Sequence, residues 1–161
     1  MDGEIILQFY NAAKDYALIL NYTQWIMISL LTILVLCMYK QKRAVINAII
    51  AAVLVWIINL IIHGYIYIPR PFVQYGIEPL IKHSATSSFP SDHAGVSFAI
   101  AVSLMFYNKK IGIIAVFAAF AIVTIRVIAM LHYPIDAIAG TGLGTISAIL
   151  IWTALRRYKN G

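Results

Sequence analysis

Five apolar stretches, at residues 24–39, 44–66, 91–107, 111–131 and 135–155, occupy most of this 161-residue chain. Each is long enough, or nearly long enough, to cross bilayer hydrocarbon, for which a helix needs roughly 20 residues. Lipid offers no partner to a backbone N–H or C=O, so a spanning segment must pair them internally or close into a barrel. Runs of this length meet that demand as helices. The chain is therefore expected to be an all-α integral membrane protein, a helical bundle of about five transmembrane spans, with residues 1–161 forming a single membrane domain. Its 62% hydrophobic and 11% charged residues leave no material for a soluble domain.

Residues 4–20 read differently. Ile5, Ile6, Phe9, Ala12, Ala13 and Tyr16 alternate at helical spacing with Glu4, Gln8, Asn11, Lys14 and Asp15, the pattern of an amphipathic helix. An N-terminal interfacial helix is expected; a sixth span, the alternative, would put Lys14 and Asp15 in lipid at high cost. Asp2 and Glu4 replace the basic start of a cleavable signal peptide. The one cysteine, Cys37, lies in an apolar run and is expected to pack inertly, with no disulfide framework to join.

With five spans, Lys40, Lys42, Arg43, Lys109, Lys110, Arg156, Arg157 and Lys159 share one face, leaving Lys14, Arg70, Lys82 and Arg126 opposite. The positive-inside rule makes the first face cytoplasmic. Topology thus explains the net charge of +6, and no nucleic-acid partner is expected. All six acids and all four histidines fall on the outer side. There, too, lies the longest polar connection, residues 67–89, long enough to be a binding element.

Three polar clusters from separate parts of the chain converge on that outer face: Arg70-Pro71, Pro90-Ser91-Asp92-His93, and Arg126 with His132 and Asp136. Ionisable groups at helix ends in a membrane protein point to a site. Ser91 is suited to N-cap the third span, whose free amides and dipole would attract an anion; a plain capped helix is the alternative. Arg126 and Arg70 carry guanidinium groups able to grip phosphate oxygens in pairs, where Arg126 alone would read as a snorkelling residue. Pro134 suits a first helical position, which places Asp136 one turn into the fifth span, four residues after His132. Its carboxylate could then take one imidazole N–H and leave the other nitrogen as a nucleophile; a buried bracing pair is the other reading. No histidine spacing matches a zinc motif, and arginines would repel a cation, so neither metal nor cofactor is expected. Gly140 and Gly144 read as a close-packing surface. Asn59 and His63, one turn apart, read as an interhelical hydrogen-bonding pair, with a site role for His63 left open.

Taken together, these clusters resemble the type-2 phosphatidic acid phosphatase superfamily, whose pattern is Lys-x6-Arg-Pro, Pro-Ser-Gly-His and Ser-Arg-x5-His-x3-Asp. Here Arg70-Pro71, Pro90-Ser91-Asp92-His93 and Arg126-x5-His132-x3-Asp136 fill those elements, with His63 at the lysine position, Asp92 for glycine and Ile125 for serine. The resemblance implies that His132 attacks phosphorus to form a phosphohistidine, that Asp136 orients it, and that His93 protonates the departing oxygen. Phosphate contacts would come from Arg70, Ser91, the Asp92 amide, Arg126 and, in place of the lysine, His63. The Pro-Ser-Asp-His form resembles bacterial undecaprenyl-diphosphate phosphatases, implying a membrane lipid diphosphate as substrate and a multi-pass cell-membrane protein with an extracytoplasmic site. Phosphatidylglycerophosphate or phosphatidate is the alternative substrate, and a proton-coupled transporter the alternative outside enzymes.

Overall fold

The computed structural model describes residues 3–157, which form seven helices and no strand. In order these are α1 (Gly3–Lys14), α2 (Ala17–Cys37), α3 (Lys42–Tyr65), α4 (Pro71–Gln74), α5 (Asp92–Tyr107), α6 (Lys109–Ile128) and α7 (Pro134–Arg157). Four of them, α2, α3, α6 and α7, are long and apolar enough to cross a membrane, and α5 is a shorter apolar helix of 16 residues. The expected all-α membrane bundle is what the chain forms, and it is a multi-pass protein.

The helix α5 is the centre of the bundle. It packs on α7, α6 and α3, while α3 also meets α7 and α2 leans on α6. Its buried positions include Ala94, Gly95, Ser97, Ala99, Ala101 and Ser103, small side chains that let neighbouring backbones approach where lipid supplies no hydrophobic drive. The glycines of α7 complete this fit. A Cβ on Gly140 would strike the Ser91 carbonyl, and one on Gly144 the Gly95 carbonyl, so α7 lies directly along the first turns of α5. At 1.5 Å per residue α5 rises only about 24 Å, short of the roughly 30 Å hydrocarbon layer. The shortfall leaves room for the connection from α3, whose Arg70, Ser87 and Ser88 are buried.

Two boundaries differ from expectation. The amphipathic segment ends at Lys14, and α2 begins at Ala17 instead of near Gln24. Tyr16 donates its N–H to the Ala13 carbonyl at 3.0 Å in a turn that divides the two helices, placing Lys14 and Asp15 at a corner and out of the span. The first span is thereby extended to 21 residues, enough to cross. Along α1, Ile6 and Ala13 are buried while Glu4, Gln8 and Asn11 face outward, as an amphipathic helix requires. Cys37 is exposed on α2 and does not pack into the core.

Candidate active site

At the end of α6 the backbone turns sharply. Met130 adopts φ 58°, its N–H bonds the Val127 carbonyl, and the Leu131 N–H bonds the Arg126 carbonyl at 3.1 Å. This is a Schellman termination with methionine in the left-handed position glycine normally takes. It delivers His132 into the bundle just before α7. Tyr133 then caps α7, Pro134 takes its first position, and Asp136 Oδ2 accepts the Tyr133 N–H at 2.8 Å. That contact is the reciprocal half of a capping box.

His132 is 3% exposed, and its two ring nitrogens have different partners. Nδ1 lies 2.8 Å from the Ser88 carbonyl, which can only accept, so Nδ1 carries the proton. Nε2 lies 3.0 Å from Arg70 Nη1, which can only donate, so Nε2 holds the lone pair. Both contacts require the same tautomer. Asp136 Oδ2 stands 3.8 Å from Nδ1, an electrostatic neighbour and not the hydrogen-bond acceptor the i,i+4 spacing suggested. The reason is local: His132 precedes α7, so helical face-sharing does not apply to it. Burial pushes the imidazole down to about 4; Arg70 and Arg126 act in the same direction, while Asp136 and the Ser88 carbonyl oppose it. The ring is therefore neutral at neutral pH.

Arg70 is fixed by the loop that carries it. Nη1 also donates to the Leu131 carbonyl at 2.9 Å, and Nη2 to Thr86 Oγ1 at 3.2 Å and the Ser87 carbonyl at 2.9 Å. Burial lowers its pKa, against the field of Asp92 and Asp136. Arg126, 2% exposed, donates Nη1 to Gln24 Oε1 at 3.1 Å while its Nε and Nη2 have no partner. Buried guanidinium donors without acceptors are costly to hold, and their unmet valence is the property a site for an anion needs.

Ser91 is the N-cap of α5 as expected, its Oγ accepting the Ala94 N–H at 3.5 Å. The amides of Asp92 and His93 stand at the open start of that helix, which attracts negative charge. Asn59 and His63 brace this turn. Asn59 Nδ2 donates to Asp92 Oδ1 at 2.9 Å, and His63 Nε2 donates to the Pro90 carbonyl at 3.0 Å. The interhelical role read for this pair is present. The placement of His63 as a phosphate contact is less direct, because its Nε2 is engaged with backbone. His93 lies between this helix start and an apolar groove of about 280 Å3 lined by Ile28, Leu31, Val96, Ile100 and Ile122.

Arg70, His132, Asp136 and the Ser91 turn thus come together, with Arg126 and His93 bordering one cavity beside them. Among the described residues, no three His, Cys, Asp or Glu side chains gather as a metal site would need. Gln24, Thr86 and the Ser88 carbonyl are contributors that the sequence reading does not name. Gln24 has a signal, an amide side chain among the few polar residues of its span; a backbone carbonyl has none.

A family profile described as PAP2 superfamily matches residues 41–159. A protein of Bacillus licheniformis named bacitracin transport permease protein BcrC is 36% identical over 117 residues, covering 71% of this chain and 58% of that protein. The undecaprenyl-diphosphatase BcrC of Bacillus subtilis is 32% identical over 113 residues, covering 70% and 58%. The chain thus spans somewhat under three fifths of each of these relatives. The crystal structure of Aquifex aeolicus LpxE shares the fold, with a TM-score of 0.75 at 23% identity over 91% of this chain and 94% of that one. So does a phosphatidylglycerolphosphate phosphatase from Bacillus subtilis, at 0.67 and 20% identity over 93% and 84%.

Proposed function

Because the chain belongs to the PAP2 superfamily, we propose that it hydrolyses a lipid diphosphate, undecaprenyl diphosphate, to the lipid monophosphate at the extracytoplasmic leaflet. The observation that carries this reading is the single tautomer of His132: Nε2 is an unprotonated nitrogen aimed at a buried guanidinium. Phosphate oxygens replace Nε2 as the acceptor of Arg70, and Nε2 is then adjacent to phosphorus. Its lone pair forms the N–P bond as the bond to the bridging oxygen breaks, and the departing lipid monophosphate leaves with a proton supplied by His93. Water, giving a proton back to His93, then attacks the phosphohistidine; the O–P bond forms as the N–P bond breaks, His132 recovers its Nε2 lone pair and inorganic phosphate departs.

Charge built up on the phosphoryl oxygens is met by Arg70, by the two unpartnered nitrogens of Arg126 and by the amides at the start of α5. Positioning of this kind dominates phosphoryl transfer. Asp136 acts on His132 through its field and through the Tyr133 cap, and His63 acts by holding the Pro90 turn. The arginines take the part a divalent cation would otherwise play. The apolar groove beside His93 suits a polyprenyl chain, and the basic residues gathered at the opposite helix ends support an outward-facing site.

Purified protein in detergent, given undecaprenyl diphosphate, phosphatidylglycerophosphate and phosphatidate with and without chelator, tests this directly. Phosphate release is expected to be fastest from the diphosphate and unaffected by chelation. No release from any of the three, or activity that a divalent cation must restore, would overturn it.

A further inference from the structure

Arg126, two of whose buried donors lack partners, lines a cavity of about 400 Å3 at the outer mouth of the bundle. Gln24 of α2, Lys82 and His83 of the outer connection and His93 of α5 line it too. Lys82 is exposed and His83 half-buried, with His83 Nδ1 donating to the Ser84 carbonyl at 2.9 Å and Nε2 left available. The hydrolytic chemistry at His132 makes no use of Lys82 or His83. Their cavity is lined by His93 and not by His132, so it lies to the side of the proton donor. In an in-line displacement the leaving group is opposite the attacking nitrogen.

We infer that this cavity, lined by Gln24, Lys82, His83 and Arg126, is a leaving-group subsite that holds the lipid-proximal phosphate of a diphosphate ester. The inference rests on the hydrolytic reading above and deepens it by assigning the second phosphate its own contacts. His93 borders both this polar cavity and the apolar groove. In this arrangement the diphosphate places its terminal phosphate between Arg70 and the start of α5, its second phosphate beside Lys82 and Arg126, and its chain along Ile28, Leu31 and Ile122. Lys82 supplies the positive charge that the extra phosphate requires and that a monoester, whose leaving group departs as a neutral alcohol, does not. Arg126 reaches both phosphates. Lys82 is the decisive group, because burial and the nearby arginines hold His83 toward its neutral form.

The test compares Lys82→Ala with the parent on undecaprenyl diphosphate and on phosphatidate in the same mixed micelles. Lys82 is an exposed loop residue, so folding is not at issue. The expected result is a loss of about tenfold in kcat/KM on the diphosphate with phosphatidate hydrolysis within about twofold of the parent, and recovery in Lys82→Arg. Inhibition by inorganic pyrophosphate should weaken in Lys82→Ala while inhibition by inorganic phosphate does not. Equal losses on both substrates, or an unchanged diphosphate rate and unchanged pyrophosphate inhibition, would overturn the subsite. A parent protein active on phosphatidate alone would overturn the subsite and the diphosphate substrate, and leave only the hydrolytic chemistry at His132 standing. A parent inactive on both would overturn that reading, and the subsite with it.

Discussion

Gln24→Leu isolates the grip on Arg126. The guanidinium is 2% exposed and its one side-chain partner is Gln24 Oε1, at 3.1 Å. Leucine is similar in volume and also at home in a spanning helix, so the substitution removes the hydrogen bond with little change in packing. A hydrogen bond to a charged group contributes about 1.5–3 kcal/mol. If that orientation is needed in the transition state, kcat/KM falls roughly 10- to 100-fold, since ~1.4 kcal/mol is a factor of ten. Gln24→Glu separates orientation from charge. It keeps an acceptor for Nη1, and the protein should unfold no more easily than the parent, but it sets a carboxylate beside the proposed phosphate position and should raise KM. The assay is phosphate release in detergent over a range of substrate concentrations, with thermal unfolding measured on the same samples. Parent-like kcat/KM in a folded Gln24→Leu protein would refute the reasoning, because Arg126 would then need no fixed orientation.

Gly144→Ala places a Cβ against the backbone of Gly95 and Ala99, neither of which can swing aside, and should cost about 1–3 kcal/mol by parting α5 from α7. Gly142 faces open space, so Gly142→Ala should unfold at the parent temperature or above; equal midpoints for the two variants would contradict the packing. His63→Ala leaves the buried Pro90 carbonyl unpaired and should destabilise by about 1–3 kcal/mol, while His63→Gln can restore the donor. Failure of glutamine to recover the melting midpoint would show that His63 does something other than brace that turn. The acid limb of kcat/KM reports the free enzyme. Because burial holds His132 at about 4, the neutral nucleophile persists below the usual histidine range, and activity should fall only as the pH approaches that value. An acid limb near the ordinary histidine value of about 6.5 would contradict it.

Much of the architecture is legible in the chain because lipid restricts it so severely. Apolar run lengths locate α3, α6 and α7 within a few residues, and Pro134 marks the start of α7. The start of α2 is hidden because residues 17–20 are apolar and continue the amphipathic helix without a proline or glycine to interrupt it; the break comes from the turn at Tyr16. Within the site, Arg70, His132, Asp136 and Ser91 are marked by residue type at helix ends. Their hydrogen bonds are not. Helical spacing pairs His132 with Asp136, but the histidine sits ahead of the helix and its proton goes to the Ser88 carbonyl, a group invisible in a list of side chains. Gln24 escapes notice because it follows Asn21 and Thr23 at the polar edge of an apolar run, where an amide reads as a span boundary, and its value emerges only when α2 brings it against Arg126.

Attack by His132 Nε2 on phosphorus is the centre of the account. Its most direct test is a single turnover with lipid diphosphate labelled in the terminal phosphate, quenched in alkali, where an N-phosphohistidine survives, followed by peptide mapping. The account predicts transient label on the peptide bearing His132, and no label with His132→Asn. Complete turnover with no labelled protein at any time, or label on a different residue, would contradict it.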